Sequence, residues 1–418
     1  MKKPKYFDGL IIKPYTWSVS EESQPIVLHI SGPDRPGITA GLAEILATEN
    51  ARLIDIGQSV LHNFLTLSAI VEVPKGSDAL RKLLFMSNEG GLKLEVNTLA
   101  GLSERNDTRK RASLCISLLG ELEDSHAISK TTRFLAGRKM NIREIETLSS
   151  GSLRGLELLV DLPAVTVKSE EELGSVRGEI LGLAQELGVD LAVQMDDVFR
   201  HNKRLVCMDV DSTFIRMEVI DELAVLAGCE EQVKRITEDA MQGKLDFKEA
   251  LRARVKCLQG LSFEKAKTLL HRVPLSPGAE RFVKILKRLG FQVGLVSGGF
   301  DFFVDTLKER FDLDFAFANE LEVRNGLLTG NVRGSIVDAE RKAQILRDAA
   351  QLFRCRLEQV VAVGDGANDI PMLQSAGLGI AFRGKRKLQE AADLSLNVGA
   401  LDSILYLMGY TEVELNSL

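Results

Sequence analysis

Short apolar runs most strongly constrain the fold of the second half of the chain. They occupy residues 205–208, 293–296, 360–363 and 378–381, and helical periodicity separates them. Strands that are apolar on both faces are typical of a parallel sheet covered by helices. The pattern from residue 203 onward therefore predicts an α/β fold with a parallel sheet. A mainly helical stretch from about residue 216 to residue 273 is too long for a simple crossover and predicts an inserted cap.

Polar segments follow three of these runs. They cover residues 209–213, 297–299 and 364–369. The carboxyl ends of parallel strands form the ligand crevice of an open sheet, so these segments should converge. Four carboxylates would meet there, from Asp209, Asp211, Asp365 and Asp369. Such a cluster is unfavourable without a hard cation, and oxygen ligands indicate Mg²⁺.

The apolar pattern in the first half of the chain predicts two copies of one small domain. Strand and helix patterns between residues 26 and 96 follow a β-α-β-β-α-β order of the ferredoxin-like kind, and residues 65–73 alternate cleanly. A polar run without apolar side chains follows and is typical of a linker. The same order then repeats up to residue 195.

These patterns divide the chain into five segments, and its 418 residues suit roughly three domains. The predicted segments are an N-terminal arm (1–23), a first ferredoxin-like domain (24–102), a linker (103–111), a second ferredoxin-like domain (112–198) and the α/β domain (199–418) with its cap (about 216–273).

Composition narrows the class of protein. Apolar residues make up 45% and charged residues 27%, which suits soluble globular domains. A net charge of −6 argues against nucleic acid and membrane surfaces as partners. The five cysteines lack the spacing of a zinc site, and no apolar run reaches the ~20 residues of a membrane span. We therefore expect a cytoplasmic protein.

The two small units together resemble a pair of ACT domains, which are ligand-sensing modules attached to enzymes of amino-acid metabolism. The resemblance is strongest at residues 32–38, GPDRPGI, the turn where such modules bind amino acids. It implies a regulatory ligand at Gly32, Asp34 and Gly37, most simply serine. The second unit lacks the proline and the second glycine at the equivalent place, residues 120–125. A role in assembly alone remains an alternative, and exposed sheet edges favour a homodimer or higher homo-oligomer.

The strand-end segments, together with Lys342, resemble the motifs of the haloacid dehalogenase superfamily in order and position. This resemblance implies a Rossmann-like fold in which Asp209 attacks phosphorus and Asp211 serves as general acid and base. Mg²⁺ would be bound by the carboxylates of Asp209 and Asp365 and by the backbone carbonyl of Asp211. Asp369 would orient metal-bound water.

The same resemblance assigns the groups that hold the phosphoryl oxygens. Ser297 and the Gly298 amide would donate hydrogen bonds, Asn368 would orient the phosphoryl group, and Lys342 would neutralise charge in the transition state. Judged alone, a lysine at the start of a helix over residues 339–350 is more often solvated.

Residues 205–392 resemble the phosphoserine phosphatases more closely than the superfamily at large, with matching segments at 218–222, 238–243, 247–255 and 316–319. The resemblance implies that Glu218 binds a substrate ammonium and Arg254 a carboxylate, with Arg252 as a competing candidate. Met241 and Phe247 would close the pocket.

The expected reaction is hydrolysis of O-phospho-L-serine to L-serine and phosphate. Two alternatives remain open. The chain could act on another small phosphomonoester such as phosphohomoserine, as a phosphatase or a phosphotransferase, or it could be mainly an amino-acid sensor.

Overall fold

The computed structural model describes residues 23–98, 113–122, 125–151, 153–162 and 170–418, with side chains except at 170–173 and 241. The predicted linker and, apart from Ser23, the predicted N-terminal arm lie outside these residues. The chain forms two compact units, residues 1–110 and 111–418. Among the residues described, no helix is both long and apolar enough to cross a membrane.

The first unit has the predicted β-α-β-β-α-β order. Its elements are β1 (Ser23–Pro33), α1 (Ile38–Thr48), β2 (Arg52–Leu61), β3 (Phe64–Pro74), α2 (Ala79–Glu89) and β4 (Lys93–Thr98). The strands form an antiparallel sheet in the order β2-β3-β1-β4. One face of β3 is buried at every second residue, as the alternation predicts, because the two helices cover that face.

The second unit begins with the same arrangement. Its first elements are β5 (Ser113–Gly120), α3 (His126–Gly137), β6 (Asn141–Ser150), β7 (Arg154–Asp161), α4 (Glu170–Leu187) and β8 (Asp190–Met195). The sheet order is β6-β7-β5-β8, so β6 is an edge strand. The sequence patterns do not mark β6, because most of its residues are exposed and do not alternate.

The rest of the second unit is an α/β domain. Its elements are β9 (Leu205–Met208), α5 (Val219–Ala227), α6 (Glu230–Met241), α7 (Phe247–Cys257), α8 (Phe263–Lys267), α9 (Ala279–Arg288), β10 (Gln292–Phe300), α10 (Asp301–Phe311), β11 (Phe315–Arg324), β12 (Leu327–Arg333), α11 (Ala339–Leu352), β13 (Val360–Gly364), α12 (Ile370–Ser375), β14 (Leu378–Phe382), α13 (Arg386–Ala391), β15 (Leu394–Leu396), α14 (Ile404–Leu407) and α15 (Glu412–Asn416). The α/β class is confirmed, and all four predicted central strands are present and buried.

The sheet order is β12-β11-β10-β9-β13-β14-β15. Strand β9 lies between β10 and β13, and all three are parallel. The chain continues from β9 to one side and later returns to the other, which opens a crevice at the carboxyl end of β9. At one edge of this otherwise parallel sheet, β11 and β12 form an antiparallel hairpin.

The inserted segment between β9 and β10 is helical, and the hairpin supports it. Helix α7 begins at a capping box in which the Asp246 side chain accepts from the Glu249 amide at 2.8 Å. The Gly260 amide donates to the Leu328 carbonyl in β12, and the Leu328 amide donates back to Leu261, both at 2.9 Å. The antiparallel strand thus connects the cap to the sheet.

Candidate active site

Asp209 lies directly after β9, at the point where the sheet opens. Its amide donates to the Val363 carbonyl at 2.9 Å, which ties the end of β9 to β13. The residue is 4% exposed. Its carboxylate is therefore held in a fixed place at the bottom of the crevice.

Lys342 reaches this carboxylate from the first turn of α11. Its Nζ lies 2.6 Å from Asp209 Oδ1 and 2.7 Å from Asp369 Oδ1, and the side chain is 1% exposed. Burial opposes the charge, but the two carboxylates outweigh burial and raise the Lys342 pKa. The alternative of a solvated lysine is wrong, and a buried cation stands beside Asp209.

Asp211 occupies a tight turn that leads from β9 into the cap. The next residue, Ser212, has a φ of +59°, a left-handed conformation that turns the chain sharply. The Asp211 carboxylate accepts from the Val219 amide at 2.9 Å and from Ser297 Oγ at 3.1 Å. Burial still raises the Asp211 pKa despite these hydrogen bonds. A carboxyl group in this state suits proton donation.

Three carboxylates form a cluster that could hold a metal ion. One oxygen each from Asp209, Asp365 and Asp369 lies within 4.8 Å of the other two. Burial and the charge of Asp369 raise the pKa of Asp209 well above its ordinary value, and the same two causes raise the pKa of Asp365 to about 6. Lys342 alone thus does not balance the negative charge. This oxygen-only donor set fits a hard divalent cation.

Ser297 and the two glycines after it lie near the carboxyl end of β10, next to Asp211. Ser297 is fully buried, and its Oγ accepts from the Gly299 amide at 2.8 Å. A Cβ on Gly298 would come 3.1 Å from the Phe247 ring, and one on Gly299 would come 2.9 Å from Asp211 Oδ2. A side chain at Gly299 would therefore fill the space beside Asp211, and one at Gly298 would press against Phe247.

Two buried polar residues in the site received no role from the sequence. Asn319 Nδ2 donates to the Gly298 carbonyl and its Oδ1 accepts from the Val337 amide, both at 2.8 Å. Thr213 Oγ1 donates to Asp365 Oδ1 at 3.3 Å. Both residues lie in segments that match the family motifs, and this position in a motif could have identified them as site residues. Asn319 holds the glycine loop, and Thr213 orients a carboxylate of the cluster.

The predicted substrate-binding charges lie at the cap side of the site. Glu218 is exposed as a residue, yet its carboxylate is partly desolvated and accepts from Ser212 Oγ at 2.9 Å. Burial and the charge of Asp211 raise the Glu218 pKa to about 7. Arg254 is partly buried, and its buried Nε has no hydrogen-bond partner within the described part of the chain. Burial lowers the Arg254 pKa, while Asp221, Glu218 and Asp211 oppose this shift.

The competing candidate, Arg252, is exposed, so the geometry favours Arg254 as the residue facing the site. Phe247, at the start of α7, is partly buried against Gly298. Asn368 is partly buried on the loop that carries Asp365. Met241 ends α6, and its side chain lies outside the described part of the structure.

The predicted regulatory residues belong to the first compact unit. Gly32 is buried with a φ of +155°, and a Cβ there would come 2.8 Å from Leu92 Cδ2. Gly37 has a φ of +99° and precedes α1, while the exposed Asp34 donates its amide to the Asn63 carbonyl at 2.8 Å. These glycines permit a tight turn between β1 and α1.

Comparison with known families agrees with this architecture. Residues 203–377 match the haloacid dehalogenase-like hydrolase family, and residues 24–97 and 112–194 match ACT domains. A haloacid dehalogenase family hydrolase from Salmonella enterica serovar Typhi has a similar structure, with a TM-score of 0.61 at 29% identity over 71% of this chain and 98% of its own. Fold and site thus define a haloacid dehalogenase-like hydrolase with two ACT domains.

Relatives of nearly full length narrow this class. The chain is 40% identical over 401 residues to phosphoserine phosphatase of Streptomyces coelicolor, covering 96% of both chains. It is 40% identical over 400 residues to phosphoserine phosphatase SerB2 of Mycobacterium tuberculosis, covering 94% of this chain and 95% of that protein. The chain belongs to the phosphoserine phosphatase family and is a phosphoric monoester hydrolase.

Proposed function

We propose that the protein hydrolyses O-phospho-L-serine to L-serine and phosphate, with Mg²⁺, through an aspartyl-phosphate on Asp209. The main support is the hydrogen bond between buried Lys342 and Asp209, together with Asp211, which accepts from Ser297 and lies within electrostatic range of both. A carboxylate needs no base to become a nucleophile, and these neighbours supply a cation and a proton donor. The two nearly full-length relatives bear the name of this activity.

In the first half-reaction, Asp209 forms a bond to phosphorus and the bond from phosphorus to the seryl oxygen breaks. Protonated Asp211 donates its proton to the leaving alkoxide, which is otherwise a poor leaving group. In the second half-reaction, Asp211 removes a proton from water while the water oxygen attacks phosphorus. The bond to Asp209 breaks, phosphate leaves and Asp211 is protonated again.

The remaining polar and charged groups of the site stabilise both half-reactions. Ser297 and the Gly298 amide donate to phosphoryl oxygens, and Lys342 balances the charge that builds there. Asp209, Asp365 and the Asp211 carbonyl would hold Mg²⁺, which relieves the repulsion between an anionic nucleophile and a phosphate dianion. Asp369, fixed by Lys342 and by the Gly366 amide at 3.0 Å, would orient metal-bound water.

Substrate recognition is proposed to involve Arg254 for the carboxylate and Glu218 for the ammonium group. Both charges lie within electrostatic range of Asp211, and the Arg254 Nε, which has no partner among the described residues, is available to a ligand. Phe247 supplies apolar surface, Asn368 orients the phosphoryl group, and the role of Met241 stays a prediction from the resemblance.

The substrate assignment predicts a selectivity that can be measured. With Mg²⁺, kcat/KM for phosphoserine should exceed that for phosphothreonine and phosphohomoserine by roughly tenfold or more. The extra methylene of phosphohomoserine moves the ester away from the amino-acid group, and the methyl group of phosphothreonine needs additional space beside the ester. Excess chelator should abolish turnover, and added Mg²⁺ should restore it. Faster turnover of another ester would overturn the substrate, and phosphate transfer to an alcohol in preference to water would indicate a phosphotransferase.

The ACT domains are proposed to regulate this activity by binding an amino acid near Gly32, Asp34 and Gly37. Calorimetry on the full chain should detect binding of L-serine, the reaction product, and an Asp34→Ala variant should bind it roughly tenfold more weakly. A chain that binds no amino acid here would leave the ACT domains a role in assembly only. Serine binding without any phosphate release would instead favour a pure sensor.

A further inference from the structure

The second ACT domain contacts the α/β domain through a buried carboxylate. Asp190, the first residue of β8, is 1% exposed. Its Oδ1 accepts from the Asn397 amide at 2.7 Å, and its Oδ2 accepts from the Val398 and Gly399 amides at 2.9 and 3.4 Å. Asp190 therefore holds the turn that follows β15, the edge strand of the large sheet.

The hydrogen bonds continue from this turn into the α/β domain. The Asn397 side chain donates to Asp190 at 3.3 Å, and its Oδ1 accepts from Gln389 Nε2 at 2.9 Å. The same Gln389 nitrogen donates to the Gly384 carbonyl at 2.8 Å. Asn397 and Gln389 thus connect Asp190 to the loop between β14 and α13.

This loop contacts the main chain of Asp365. The Lys385 amide donates to the Asp365 carbonyl at 3.3 Å, and a Cβ on Gly384 would come 3.4 Å from the same oxygen. The Asp365 side chain is partly exposed, and the hydrogen bond that it accepts from Thr213 is long, at 3.3 Å. Its position therefore depends strongly on how its backbone is held.

We propose that Asp190 is a positioning residue for Asp365. By fixing the 397–399 turn, the second ACT domain holds the 383–385 loop through Gln389 and so orients a carboxylate of the metal cluster. This inference rests on the proposed function in one respect, that Asp365 binds Mg²⁺. The second ACT domain would then pack against the α/β domain and also contribute to the geometry of its catalytic centre.

The test is calorimetric titration of Mg²⁺ alone into the metal-free full chain. Asp190→Asn places an amide NH₂ among backbone donors, and Gln389→Met removes the link between Asn397 and Gly384. Each variant should bind Mg²⁺ roughly threefold to tenfold more weakly. The double variant should bind Mg²⁺ about as weakly as Gln389→Met alone, because the Asp190 change adds nothing once Gln389 no longer joins Asn397 to Gly384.

A matched control changes the same domain contact away from this chain. Glu412 accepts from the Ser150 amide at 2.9 Å, so Glu412→Gln weakens the contact without touching Gln389. Its Mg²⁺ affinity should stay within about twofold of the wild type, as expected for a surface hydrogen bond. Equal weakening in all three variants, or wild-type affinity in Asp190→Asn and Gln389→Met, would overturn the inference.

Two further outcomes separate the inference from its premise. If Asp190→Asn does not fold, the Gln389→Met variant alone tests the inference. Gln389 is only partly buried, so its replacement should leave the protein folded. If Asp365→Asn binds Mg²⁺ as the wild type does, the metal assignment in the proposed function fails and the inference fails with it. If Asp365→Asn loses Mg²⁺ while Gln389→Met keeps it, only the inference fails.

Discussion

Asparagine in place of Asp209 is expected to lower phosphoserine turnover by a factor on the order of 10⁴ or more, as loss of a nucleophile does in other enzymes. The amide oxygen of asparagine still accepts from Lys342, so the site should keep its shape, but it cannot form an acyl phosphate. Steady-state phosphate release at saturating Mg²⁺ measures this effect. Near-full activity of Asp209→Asn would eliminate the aspartyl-phosphate mechanism.

The same variant has a second, opposite effect on stability. Because burial and Asp369 raise the pKa of Asp209 in the folded protein, ionising it costs folding free energy as pH rises through that pKa. In metal-free buffer near pH 7.5, Asp209→Asn should therefore melt a few degrees above the wild type. The difference should narrow as the pH falls and Asp209 takes up its proton. A lower melting temperature at pH 7.5 would contradict this electrostatic interpretation.

Removal of the Arg254 guanidinium is expected to lower kcat/KM for phosphoserine by roughly 100-fold to 1000-fold, the usual cost of breaking a buried charged hydrogen-bonded pair. Phosphoethanolamine has the ammonium group and the phosphate but no carboxylate. Its slower turnover should change less than about tenfold in Arg254→Ala, because the lost contact does not exist for this substrate.

Arg252→Ala is the matched control for this experiment. Arg252 lies two residues away on the same helix and is exposed, so its removal should leave both substrates within about twofold of the wild type. A large loss in Arg252→Ala with none in Arg254→Ala would reverse the assignment. An equal loss of kcat/KM with both substrates in Arg254→Ala would indicate a structural role for this residue.

The sequence was sufficient for the class of fold and for the order of its parts. Fully buried parallel strands leave continuous apolar runs, and the polar segments after them lie at one sheet edge by topology. The alternation in β3 likewise predicted a sheet with one covered face. The position of β6 and the β11–β12 hairpin were not predicted, because β6 is mostly exposed without alternation and Gly330 interrupts the apolar pattern of β12.

Within the site, the sequence determined which residue types lie at the strand ends, and the resemblance proposed their roles. Only the tertiary structure decided the rest. It buries Lys342 between two carboxylates, leaves Arg252 in solvent while Arg254 turns inward, and places Asn319 behind the glycine loop. It also brings Asp190 onto a turn 207 residues further along the chain. Periodicity records whether a residue is buried, whereas these partners are chosen by the packing of distant segments, which no local pattern encodes.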